Sequence, residues 1–217
     1  MTVKNTRVYD DLANAYVKGV TNAADLDLNL EGLVDLGTPS AADSDSMLDA
    51  QAITSVDGFD IPKASRELDS KCTFGRNVTI ANATPGISVV TVIGRDYLNQ
   101  LTTETITTAA GSGTGKKAFK FVDRVEVDAN ATIDLGFGDE LGLPYTAIKL
   151  IDELVDNEVG SSGALEPWDD TAPATATTGD PRGTYDPNAT MDGVKHIMAN
   201  ILFVNDNDHG LFGVEQV

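Results

Sequence analysis

Hydrophobic and β-branched positions alternate with polar ones most regularly between Gly75 and Tyr145, and this stretch predicts a run of short strands. Arg76–Ile80, Ile87–Ile93, Glu104–Thr108 and Phe119–Val127 are its strand segments. Ala83–Gly86, Gly94–Gln100 and Ala109–Gly115 separate them with residues that favour turns. Gly136 to Tyr145 reads as a glycine-rich turn that ends the run.

The flanks are patterned more loosely. Tyr9, Leu12, Ala13, Tyr16 and Val17 have the spacing of one helical face, which predicts a short helix over Tyr9–Val20. Asp25 to Leu30 alternates strictly, so Leu26, Leu28 and Leu30 share one face of a half-buried strand. From Gly37 to Asp60 isolated apolar residues stand among Ser, Ala and Asp, the composition of an extended arm. Lys63–Asp69 has room for one helical turn after Pro62. Ala147–Val155 fits a helical turn or a strand equally, 160–183 reads as a linker around Trp168, and Val194–Val204 reads as an apolar strand.

Together these predict a mainly β protein: an antiparallel β-sandwich or jelly roll over 61–217, with a long loop at about 156–190 and long acidic loops. An extended N-terminal arm over 1–60 precedes it. Deleting that arm is expected to leave a folded β domain that binds its partner poorly.

Charge changes the picture at the ends. Of the net −19, residues 1–74 carry −7 (6 basic, 13 acidic), 75–150 carry −1 (7 and 8) and 151–217 carry −11 (2 and 13). The sheet region is close to neutral, and the acidic flanks face water or a basic partner. Direct phosphate-mediated binding to nucleic acid is disfavoured, because it needs clustered Lys and Arg. Cys72 is the sole cysteine, so no internal disulfide forms, and it reads as a buried thiol. No apolar run reaches the ~20 residues of a membrane span, and Met1–Val20 lacks the pattern of a secretion signal, so a soluble cytoplasmic product is expected.

Candidate chemistry is sparse. Ala110–Lys117 resembles a phosphate-binding loop, but Ala110 replaces its first glycine, Lys117 replaces the Mg²⁺-binding hydroxyl, and a strand pattern follows it. Asn205–Gly210, with Gln216 at the twelfth position, has the wrong residues at both ends of a calcium loop. Asp43, Asp45, Asp169 and Asp170 read as solvated acids. His196 and His209 belong to no nucleophile or zinc signature. The sequons at Asn77, Asn82, Asn130 and Asn188 matter only in a secretory pathway. Trp168, Tyr145 and Tyr185 could serve a glycan-binding sandwich as stacking platforms. No catalytic residue, metal site or cofactor is expected.

Six segments, in order, carry a resemblance: Gly75–Ile80; Val90–Asp96 with Thr103–Thr107; Gly115–Lys120; Gly138–Tyr145; Asp180–Asn188 with Asp192–Gly193; and the ending Gly210–Val214. Over Gly75–Val217 the chain resembles virion structural proteins of tailed bacteriophages, of the head decoration or cement type. The motif residues are Gly138, Asp139, Gly142, Pro144, Tyr145, Asp180, Arg182, Gly183, Asp192 and Gly193. The chain departs from the group's pattern at the second turn, where Arg95, Tyr97, Leu98 and Asn99–Gln100 replace a glycine-containing tight turn. The resemblance implies a non-enzymatic subunit on the outside of a capsid, made in the host bacterial cytoplasm. The implied partners are the major capsid protein and the protein itself, as a homotrimer, with no nucleic acid and no membrane. A tail component is the alternative that the resemblance leaves open.

Overall fold

The computed structural model describes residues 4–10, 15–21, 28–84, 89–169, 179–205 and 211–213. Its strands begin with β1 (Lys4–Asp10), β2 (Ala15–Thr21), β3 (Leu28–Gly37), β4 (Asp43–Ile53) and β5 (Phe59–Asp60), followed by a 3-10 turn at Lys63–Ser65. The central strands are β6 (Arg76–Thr84), β7 (Val89–Arg95), β8 (Leu101–Thr107), β9 (Gly113–Phe119), β10 (Phe121–Val127) and β11 (Ala131–Gly142). β12 (Ala147–Val155), β13 (Glu158–Val159), β14 (Ala164–Glu166), β15 (Thr184–Asp186) and β16 (Ile197–Asn205) complete the set.

All pairings between these strands are antiparallel, and the architecture is a β-sandwich extended by a further layer. One sheet has the order β5-β10-β7-β8; a second runs β14-β15-β11-β6-β9, with β4 also on β11; a third runs β13-β12-β16-β3. The first two sheets enclose a core that includes Val78, Ile80, Val90, Val92, Phe119, Val125, Ile133 and Leu135. The third sheet closes over the far end of the second around Leu36, Leu141, Tyr185, Ile197 and Ile201. β11 therefore serves both cores, and its outer edge passes from β4 to β15.

Period-two patterning made the central strands readable. β7 and β8 bury every second residue without a break. The segment expected as one strand over Phe119–Val127 is instead two, because the chain bends at Lys120, whose N–H donates to the Arg95 carbonyl oxygen (2.8 Å). The second turn is tight without glycine. Asp96 Oδ1 accepts the amides of Leu98 (2.9 Å) and Gln100 (2.8 Å), and Asn99 takes the left-handed conformation at φ 64° that Asn tolerates well.

Four expectations are corrected. The Gly136–Tyr145 turn is largely strand, since β11 runs through to Gly142. Its glycines permit close approach: a Cβ on Gly136 would overlap the Asp43 carbonyl oxygen, and one on Gly142 would lie 2.6 Å from the Phe74 carbonyl oxygen. Residues 28–60, read as part of an arm, form β3, β4 and β5 and bury Leu30, Val34, Leu36, Leu48 and Ile53. A truncation at residue 60 would strip both cores. The helix over Tyr9–Val20 is replaced by the hairpin β1–β2, whose β-branched and aromatic content suits extended chain. Lastly, the loop at about 156–190 contains β13, β14 and β15, with Tyr185 fully buried. Residues 170–178 of that loop and the turn at Pro85–Gly86 lie outside the described residues.

Gly136→Ala tests the close approach of β4 to β11. The added methyl must displace backbone and should cost about 1–3 kcal/mol, the usual range for overpacking, read as a lower urea midpoint at unchanged m-value. A loss within about 0.5 kcal/mol, the scale of a neutral surface change, would show that β4 does not press on Gly136.

Candidate functional site

The motif segments meet inside the molecule. At the head of β6, Arg76 is fully buried on the inward face shared by Val78 and Ile80. Its Nε donates to the Gly138 carbonyl oxygen (3.0 Å), and its Nη1 donates to the Ser40 carbonyl oxygen (2.8 Å) and to Asp69 Oδ2 (2.9 Å). Nη2 also donates to Gly138 O. The guanidinium lies 4.7 Å from the centroid of the Phe137 ring. Asn77, next along, donates through Nδ2 to the Gly115 carbonyl oxygen (3.1 Å) and accepts the Glu140 amide (3.2 Å). Gly138 leaves room for it, because a Cβ there would stand 2.7 Å from Asn77 Oδ1.

Asp180, Arg182 and Gly183 join the same interior from the far side. Asp180 Oδ2 accepts the Ala118 amide and Oδ1 accepts the Arg182 amide, both at 2.8 Å. Burial pushes the Asp180 carboxyl up, against the pull of the Arg182 charge and these two amides. Arg182 Nη1 pairs with Asp96 Oδ2 at 2.9 Å, with both side chains almost fully buried, and its guanidinium sits 5.0 Å from the Tyr97 ring centroid. Tyr97 Oη donates to the Pro144 carbonyl oxygen (2.5 Å), and burial raises its hydroxyl to about 12. Gly183 adopts φ 87°, where a Cβ would meet the Glu166 carbonyl oxygen at 2.6 Å. Thr184 Oγ1 donates to Glu140 Oε2 (2.8 Å) and ties β15 to β11.

Glu104 and Lys117 are the interior charges that sequence reasoning missed, although period two points Glu104 inward with Thr102 and Ile106. Glu104 Oε1 accepts the Lys116 amide (2.6 Å), and both its oxygens lie 3.4 Å from the Lys117 amide nitrogen. Lys117 Nζ donates to the Thr103 carbonyl oxygen (3.0 Å). Burial raises the Glu104 carboxyl to about 7 and lowers the Lys117 ammonium. Here the segment that mimics a phosphate loop is the tight turn closed between Ala109 and Ser112 followed by the strand β9, whose Gly115 is held against the Glu104 carboxylate.

The remaining motif residues lie elsewhere. Asp192 Oδ1 accepts the amides of Val194 and Lys195 (both 2.9 Å), which lowers its carboxyl. Gly193, at φ 74°, donates to the Pro39 carbonyl oxygen (2.9 Å) and accepts Lys71 Nζ (3.0 Å). Asp139 is exposed. Tyr145 packs edge-on to Phe203 at 5.5 Å.

Other candidates resolve into local roles. His196 Nε2 meets Asp35 Oδ1 at 2.7 Å. Asp45 is exposed, its amide donates to Asp43 Oδ1 (3.3 Å), and its carboxyl is raised by a side-chain hydrogen bond with Asp43 and by the Asp43 charge. Asn77 is too buried to carry a glycan. Cys72 is buried, donates to the Gly75 carbonyl oxygen (3.1 Å), and is raised to about 11 by burial. Tyr185 Oη donates to Glu153 Oε2 inside the second core, so this ring offers no stacking face. Trp168 lines a cavity of about 270 Å³ with Lys116, Glu140, Glu166 and Asp169. His209, Gln216, Asp170, the side chain of Asn82 and nearly all of Asn205–Gly210 lie outside the described residues. Among the described residues no group of three or more His, Cys, Asp or Glu side chains is arranged to hold a metal ion. Comparison of the chain with protein-family models, with curated proteins and with solved structures gives no match.

Proposed function

We propose that the protein is a non-enzymatic virion structural protein that binds the outside of a bacteriophage capsid and stabilises it. The observation that carries this reading is that residues from five of the six ordered segments converge on one buried network. Arg76, Asn77, Asp96, Glu104, Lys117, Asp180 and Arg182 join β6, β8, β9, β11 and the approach to β15. Residues that give the chain its resemblance to decoration proteins thus serve the rigidity of a body. A rigid body loses little conformational freedom on docking, so more of its contact energy becomes affinity.

The partners in this reading are the major capsid protein and further copies of the chain. Acidic side chains such as Asp43, Asp45, Asp49, Asp152 and Glu158 stand exposed and suit basic patches on a shell. Closed cyclic assembly, a trimer on a local threefold axis, matches the symmetry of such shells.

The test is to add purified protein to capsids that lack it. The reading expects co-sedimentation with the particles and greater resistance of those particles to heat and osmotic shock. Particles that neither bind it nor gain resistance would refute the proposal.

A further inference from the structure

Strand β3 has an edge to spare. One side pairs with β16 along its length, from Leu28 to Gly37. The other side is covered only at its end: the Leu36 carbonyl oxygen accepts the Thr73 amide (3.2 Å), the Thr38 amide donates to the Lys71 carbonyl oxygen (3.1 Å), and Gly37 bridges to Cys72. From Leu28 to Asp35 no described strand pairs with that edge. Beside it runs a groove of about 550 Å³, walled opposite by Phe74, Tyr97, Pro144 and Tyr145. Leu33 stands 57% exposed on the strand. An unpaired edge beside an apolar groove is a template for strand addition.

The occupant is indicated by the hairpin β1–β2. Among the described residues no third strand joins it, and an isolated two-stranded hairpin is marginal in water. The hairpin strands carry Lys4, Arg7 and Lys18 against the single acid Asp10. β3 has the complementary charge, with Glu31 and Asp35 and no base. Each strand of the hairpin has seven residues, which suits the open span from Leu28 to Asp35.

We propose that the hairpin β1–β2 of one copy adds to the open edge of β3 in a second copy, bringing its basic residues to Glu31 and Asp35. This deepens the self-association in the reading above by naming its surface. The two remain separable, because an assembly that ignores the hairpin would leave capsid binding untouched.

Sedimentation velocity of the full chain at micromolar concentration tests it. The full chain should sediment as an oligomer, and both deletion of residues 1–21 and the E31K/D35K variant should sediment as monomers. Combining E31K/D35K with K4E/R7E/K18E restores the opposite charges and should restore the oligomer. Hydrogen exchange at the β3 amides should quicken in step with dissociation. If the deletion fails to fold, the two charge variants decide the matter. A full chain that is monomeric, or an oligomer that survives both the deletion and E31K/D35K, would overturn the exchange.

Discussion

Arg76→Met should lower the unfolding free energy by about 3–5 kcal/mol, the range for breaking a buried ion pair by removing one partner. The side chains of Arg76 and Asp69 are 0% and 3% exposed. Methionine fills much of the volume but leaves Asp69 as an uncompensated buried anion, and it leaves the carbonyl oxygens of Ser40 and Gly138 without their guanidinium donors. Asp69 keeps the Ser40 amide (2.9 Å) and the Lys71 amide (3.0 Å), so the site is weakened without being abolished. Arg76→Lys should recover little, because an ammonium lacks the planar fork that reaches three acceptors at once. Adding Asp69→Asn to Arg76→Met should return part of the loss, and a double-mutant cycle in urea isolates the coupling. A loss below about 1 kcal/mol, the value of an exposed pair, would mean that the pair is open to solvent.

Arg76 also shows how far alternation reaches. β6 continues the inward series Arg76, Val78, Ile80, so its period alone places a guanidinium in the core. Glu104 is placed inward in the same way, before Ile106. What alternation cannot supply is the partner. Asp69 lies in a short irregular segment, and Asp180 approaches Ala118 from 62 residues away. The glycines of β11 misled for a related reason. A glycine pressed against a neighbouring backbone has the same local sequence as one in a turn, and at Gly136 the neighbour is β4, placed far earlier in the chain. Likewise, the acidic composition of β4 hid a strand. Seven of its eleven residues are exposed, and Leu48 and Ile53, with the half-buried Met47, anchor it to the core. In the hairpin β1–β2 the same spacing fits a helical face and two short strands, and the β-branched content of the strands agrees with the latter.

The interior network ties the second sheet within itself and to the first. β11 alone would be a single strand shared between two cores. Arg76 ties its middle to the segment around Asp69, Thr184 ties its end to β15, and Asp180 with Arg182 ties the approach to β15 back to β9 and to the Asp96 turn. Each link is a charge-assisted or buried hydrogen bond, strong while complete and costly once one partner is gone. Such a network favours one arrangement of the sheets over alternatives that would leave its members unpaired.

Its charge count has a consequence in pH. Glu104, Asp96 and Asp180 supply three buried carboxyls against the two cations Lys117 and Arg182, so one carboxyl is left in excess. Glu104 is the one raised to about 7, chiefly by burial, from an ordinary value of 4.5. The folded state therefore holds this proton more tightly than the unfolded chain does. Its stabilising effect is complete below pH 4.5 and is lost as pH rises through about 7. The loss is on the order of 3 kcal/mol, from the shift at about 1.4 kcal/mol per unit. Asp180, also raised by burial, acts with the same sign. Lys117 acts in the opposite sense, since burial lowers it from 10.5, and its stabilising effect is lost as pH falls. Glu104→Gln isolates the carboxyl: the amide oxygen can still accept the Lys116 N–H, but no proton titrates. In urea unfolding at a series of pH values, the native protein should lose stability between pH 5 and 8 more steeply than Glu104→Gln. Repulsion from the net charge of −19 affects both proteins and cancels in the difference. Parallel pH profiles for the two proteins would show that Glu104 is ionised in the fold throughout this range and that the excess carboxyl lies elsewhere.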